Sequence, residues 1–99
     1  MAITTKQRAR LRSMANTLEP ILQVGKDGIN ENLVKQAYDA LEARELIKVA
    51  VERNAPLFAR EACEELCEQV HAEPVQVIGN RFVMYKESRK HKKIVLDEL

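Results

Sequence analysis

The chain has no tryptophan, and two tyrosines and two phenylalanines are its only aromatic residues. So few rings argue against an RNA-recognition sheet of the kind that stacks several bases on paired aromatics. Glycine and proline number three each, which rules out collagen-like and low-complexity chains. Two cysteines without a secretory leader point to reduced thiols rather than a disulfide framework. No apolar run approaches the ~18–20 residues that span a bilayer, and the opening MAITTKQRARLR has no apolar segment behind its basic residues. A cytoplasmic protein without membrane contact is expected. Its 99 residues make one small domain with one core and little room for a deep enclosed active site.

Sixteen basic residues against fifteen acidic ones leave a net charge of +1, but the signs segregate along the chain. Lys6, Arg8, Arg10 and Arg12 open it without an acid among them. Residues 57–73 carry Glu61, Glu64, Glu65, Glu68 and Glu73 against Arg60 alone, and Arg81, Lys86, Arg89, Lys90, Lys92 and Lys93 then face only Glu87. Basic ends around an acidic middle can present one positive face to a polyanion, or form an ordinary solvated surface.

Thr4 followed by Gln7 forms a capping-box pattern, and Leu11, Met14, Ala15 and Leu18 continue at helical spacing with Arg8 and Arg12 on another face. Pro20 stops that helix, and Ile21–Val24 reads as a strand. After the turn Gly25-Lys26-Asp27-Gly28, Asn30 caps a second helix whose buried stripe is Leu33, Val34, Ala37, Tyr38 and Leu41. Ile47, Val49 and Val51 alternate with Lys48, Ala50 and Glu52 as in a half-buried strand. Asn54 and Pro56 start a third helix with the stripe Ala59, Ala62, Cys63, Leu66, Cys67 and Val70. Val75–Ile78 and Phe82–Tyr85 form a hairpin around Gly79-Asn80-Arg81. The expected fold is a single α/β (α+β) domain in the order αβαβαββ, with three helices packed on a four-stranded mixed sheet. The domain should occupy residues 1–88, and residues 89–99 should be a basic tail, flexible or loosely docked.

The chemically informative turn is Gly25-Lys26-Asp27-Gly28, between a strand and a helix. Two glycines permit close backbone approach, the helix start offers free N–H groups, and Lys26 adds a positive charge. It lacks the spacing and terminal Lys-Ser/Thr of a nucleotide-binding loop. A Gly-x-x-Gly loop clamps the nucleic-acid backbone in RNA-binding KH modules, yet many such turns are only turns. Cys63, Cys67 and His71 share a helix stripe, but on a continuous helix the outer two lie about 12 Å apart, too far for one metal ion. The cysteines read as packing residues, and no metal site is expected. Ser13 lies within a helix and Ser88 in the tail, leaving no serine placed for a catalytic triad. No enzyme is expected.

Thr5-Lys6-Gln7 through Leu11-Arg12, followed by Pro20-Ile21-Leu22-Gln23-Val24-Gly25-Lys26-Asp27-Gly28, resembles the opening of the YhbY-like CRM domain family (chloroplast RNA splicing and ribosome maturation). Ala40–Val49 resembles that family's most recognisable segment, and Val75–Gly79 with Val83-Met84-Tyr85 resembles its closing hairpin. The resemblance covers residues 4–88 in order and spacing. It implies a fold similar to the C-terminal domain of translation initiation factor three, and a stand-alone protein that binds RNA in precursors of the large ribosomal subunit as an assembly factor; a monomer without cofactor is expected. RNA contacts would fall at Gly25, Lys26, Asp27 and Gly28, on Lys6, Arg8, Arg10 and Arg12, and on Arg81, Lys86 and Arg89. Asp27 departs from what phosphate binding favours unless it turns away or caps the following helix. The competing expectation is an interaction module that docks on ribosomal proteins through the acidic third helix.

Overall fold

A computed structural model describes residues 3–95. Residues 1–2 of the expected domain and 96–99 of the expected tail lie outside the described residues. The elements are α1 (Thr5–Ala15), β1 (Pro20–Val24), α2 (Glu31–Arg44), β2 (Leu46–Val51), α3 (Ala59–Val70), β3 (Glu73–Ile78) and β4 (Arg81–Tyr85), in the expected order. The four strands form one mixed sheet ordered β1-β2-β4-β3, with β1 parallel to β2 and both other pairs antiparallel.

Alternation along the strands divides the core into two layers. Val24, Ile47, Val49, Val51, Phe82 and Met84 point to one face, where α2 and α3 cover them with Leu33, Ala37, Leu41, Ala62, Cys63, Leu66 and Val70. Leu46, Val75, Val83 and Tyr85 point to the other face and meet Leu11 and Ala15 of α1. The central strand β4 is therefore buried on both sides from Phe82 to Tyr85, which explains its unbroken apolar run.

Helix starts follow local chemistry. Thr4 and Gln7 exchange hydrogen bonds at 3.0 and 2.9 Å to open α1, and the Asn30 side chain accepts from the Leu33 N–H at 2.8 Å to open α2. The third helix begins at Ala59 rather than at Asn54–Pro56. The Ala55 N–H is taken by the Glu52 carbonyl in a turn, and the Glu61 carboxylate instead accepts from the Phe58 N–H. Tyr38 is also not part of the buried stripe: it is 46% exposed, at the margin of α2, with the Lys86 ammonium 5.2 Å from its ring centre.

The segment after β4 is docked. Glu45, fully buried at the end of α2 with φ of 67°, accepts the N–H groups of Ser88, Lys93 and Ile94 on its carboxylate. Glu42 accepts from the Ser88 hydroxyl and from the Arg89 and Lys90 N–H groups. In the sequence these are two glutamates near the end of a helix and a lysine-rich tail. Their pairing across more than forty residues of chain is visible only in the fold.

Candidate nucleic-acid interface

β1 and β2 run in parallel, so Gly25 and Glu52 emerge at the same end of the sheet, and the β4 residue Arg81 pairs with Ala50 close to that end. The chain turns sharply after β1, with the Gly28 N–H donating to the Gly25 carbonyl at 3.0 Å. Gly28 has a φ of +65°, and a Cβ there would lie 3.2 Å from Pro56 Cγ, so both conformation and contact favour glycine. At Gly25 a Cβ would come within 3.0 Å of the Glu52 carboxylate. These close approaches seat the glycine turn against residues 52–56.

Lys26 and Asp27 project from the turn, both exposed. Asp27 does not cap α2, because Asn30 does, and its carboxylate makes no hydrogen bond or ion pair among the described residues. Beside the turn lies an open cleft of about 420 Å³ walled by the amides of Gln23, Asn30, Asn32, Gln36 and Asn54 together with Glu52. Amides donate and accept at once, which suits sugar hydroxyls and base edges as well as phosphate oxygens. Among the described residues Lys26 is the only cation lining that cleft, against Asp27 and Glu52, so the donors it offers are mainly neutral.

The other expected RNA-binding residues fall into separate places. Arg81 lies at the glycine-turn end, sharing a small hollow on the α1 side of the sheet with Lys48 and Gln76. Lys6, Arg8, Arg10 and Arg12 are carried by α1 on that same side, away from the cleft. Arg8 and Arg12 are half-buried, and Arg8 Nε donates to the Pro74 carbonyl at 3.1 Å, fastening α1 to β3. Lys6 and Arg10 are exposed. Lys86 and Arg89 follow β4 at the opposite end of the sheet. Lys86 Nζ donates to the Val70 carbonyl at 3.1 Å while resting over Tyr38, and the Arg89 N–H is held by Glu42.

Sequence reasoning missed the amide wall and the residues after Glu52. Gln23, Asn32, Gln36 and Asn54 are scattered over more than thirty positions and converge only when β1, α2 and the β2–α3 loop meet. Phe58, 83% exposed, gave one usable signal: it sits immediately before the apolar stripe of α3 instead of on it. Cys63 and Cys67 are buried in the core as packing residues, while His71 leaves the helix in a left-handed conformation with φ of 60°. Among the described residues no cluster of three or more His, Cys, Asp or Glu side chains could hold a metal ion, and no helix is long and apolar enough to cross a membrane.

The chain is 49% identical to the probable RNA-binding protein YqeI of Bacillus subtilis, over 95% of this chain and 98% of the relative. It is 32% identical to the probable RNA-binding protein PA4753 of Pseudomonas aeruginosa, over 94% of this chain and 89% of the relative. The solution structure of the Staphylococcus aureus protein SAV1595 superposes with a TM-score of 0.79 at 49% identity, covering 95% of this chain and 98% of that one. Residues 3–86 match the CRS1/YhbY (CRM) domain, and by that match, together with the shared fold and these relatives, the chain belongs to the CRM domain family.

Proposed function

We propose that this chain is a non-catalytic RNA-binding protein that acts on precursors of the large ribosomal subunit as an assembly factor. The observation that carries the RNA reading is the glycine turn at Gly25–Gly28, set open beside an amide-walled cleft with Lys26 exposed on it. Backbone and amide donors hold the RNA strand, while Lys26, Arg81 and the exposed Lys6 and Arg10 supply charge. The names of the relatives support RNA as the partner. The ribosomal target rests on the family resemblance, and a cytoplasmic location on the two free cysteines.

Tagged protein sedimented from a cell lysate should travel with precursor large subunits, and its ultraviolet crosslinks should map to RNA of those particles. Sedimentation only with free protein would remove the ribosomal target. One observation favours a second reading: Glu61, Glu64, Glu65 and Glu68 are all exposed on α3, a surface suited to a basic ribosomal protein. Contact through that helix would survive ribonuclease treatment, whereas the RNA reading requires its loss.

A further inference from the structure

The glycine turn is continuous with a second cleft that the RNA reading above does not use. Gly28 packs on Pro56, and beyond Pro56 the loop before α3 opens into a cleft of about 650 Å³ lined by Pro56, Leu57, Phe58 and Val77 with Arg53 and Arg60. Phe58 is the most exposed large apolar side chain among the described residues, at 83%. Its position is fixed, because its N–H is held by Glu61 at 3.0 Å and its carbonyl accepts from the Ala62 N–H at 2.9 Å. A ring held out in water on an anchored backbone has no packing role in this domain.

Arg53 and Arg60 are both exposed and make no ion pair among the described residues. The nearby acids are Glu52, which lines this cleft as well as standing beside Gly25, Glu61, whose carboxylate is occupied by the Phe58 N–H, and Glu64, one helical turn beyond Arg60. An exposed ring with flanking guanidinium groups is complementary to a nucleobase and its phosphates. Stacking on an aromatic face takes any base, but only a base free of a duplex can reach it. Resting on the RNA reading above, we propose that Phe58 is a stacking platform for an unpaired base of the strand held at Gly25–Gly28, with Arg53 and Arg60 on the adjoining phosphates. The bound RNA is therefore single-stranded where it crosses the β2–α3 loop.

The test uses the full chain with a 12-nucleotide single-stranded RNA of mixed sequence and with the same RNA in a duplex. Phe58→Ala should weaken binding of the single strand about tenfold or more, within the range known for base–aromatic stacking, and leave duplex binding unchanged. The salt dependence should keep its slope, since no phosphate contact is lost. Phe58→Trp should retain affinity and, in a chain that has no other tryptophan, its fluorescence should be quenched when the single strand binds. Equal binding by Phe58→Ala and wild type, an equal loss for single strand and duplex, or unquenched fluorescence would each overturn the platform. If Lys26→Asp still impairs binding while Phe58→Ala does not, the platform fails and the RNA reading stands. If wild type binds neither RNA, both fail.

Discussion

Lys26 and Asp27 occupy adjacent corners of one turn with opposite charges, and this makes the turn's role testable one residue at a time. Lys26→Ala should flatten the dependence of log affinity on log salt by about 0.7, the contribution of one phosphate on single-stranded nucleic acid. Lys26→Asp should do more harm, because it sets two carboxylates beside the strand, and like charges across an interface can cost several kcal/mol. Asp27→Ala should bind as well as wild type or more tightly, since its carboxylate has no other partner to lose among the described residues. Affinity at two salt concentrations, after circular dichroism shows each variant folded, decides this. Wild-type binding by Lys26→Asp would reduce the turn to a connection. A second residue-scale prediction concerns Glu42, whose carboxyl is held below the usual carboxylate range, first by the Ser88 hydroxyl and then by the Lys90 N–H, against a smaller opposing effect of burial. A folded-state value below the unfolded one gives stability that is present above the unfolded pKa. It is lost as pH falls through the lowered one. Ser88→Ala should therefore move the Glu42 midpoint upward in a carbon-detected NMR titration, and the amides of Arg89 and Lys90 should lose protection from exchange at a higher pH than in wild type.

At the scale of elements, periodicity was a good guide wherever an element packs through one face. Ile47, Val49 and Val51 lie inward as their alternation predicts, and the α3 stripe from Ala59 to Val70 is buried. Legibility ended where an element meets two neighbours or where a contact spans distant sequence. Tyr38 satisfies helical spacing but falls at the margin of α2, and Glu45 and Glu42 reveal their purpose only when residues 88–94 return to them. The glycine turn was legible because its conformation is local, whereas the amide wall beside it was assembled by the fold. Arg8 shows the same limit, for a cation on a surface helix turned out to hold α1 to Pro74. Arg8→Gln should thus cost about 1 kcal/mol in thermal or urea unfolding, while Lys6→Gln with Arg10→Gln should stay within about 0.5 kcal/mol. On α3 the thiols of Cys63 and Cys67 are buried together, and the hydrogen bond that the Cys67 thiol donates to Cys63, together with burial, pushes the Cys67 thiol up. Neither should react with a thiol reagent until the protein unfolds, since attack needs an accessible thiolate. Rapid labelling of the native chain would contradict that packing role.

Apart from the cations on α1, two groups of cations lie toward opposite ends of the sheet, and their separation makes the path of bound RNA testable. Lys26 and Arg81 sit at the glycine-turn end, whereas Arg89 and Lys90 follow the far end of β4, separated by the length of a strand. Five or six residues at about 3.3 Å each put roughly 17–20 Å between the ends, beyond the ~8 Å over which physiological salt leaves exposed charges effective. The ends therefore act on bound RNA independently, and each contributes only if the strand reaches it. Lys26→Gln with Arg81→Gln should reduce the log–log salt slope by about 1.4, two phosphates at roughly 0.7 each. Arg89→Gln with Lys90→Gln should leave the slope unchanged if RNA is confined to the glycine-turn end, because the tail's attachment to Glu42 uses backbone N–H groups that these substitutions keep. Thermal unfolding of both double variants should match wild type within about 0.5 kcal/mol, as expected for exposed side chains, so a change in slope reports contact and not loss of fold. A slope reduced equally by both pairs would instead lay the strand along the whole sheet, from the glycine turn to the docked tail.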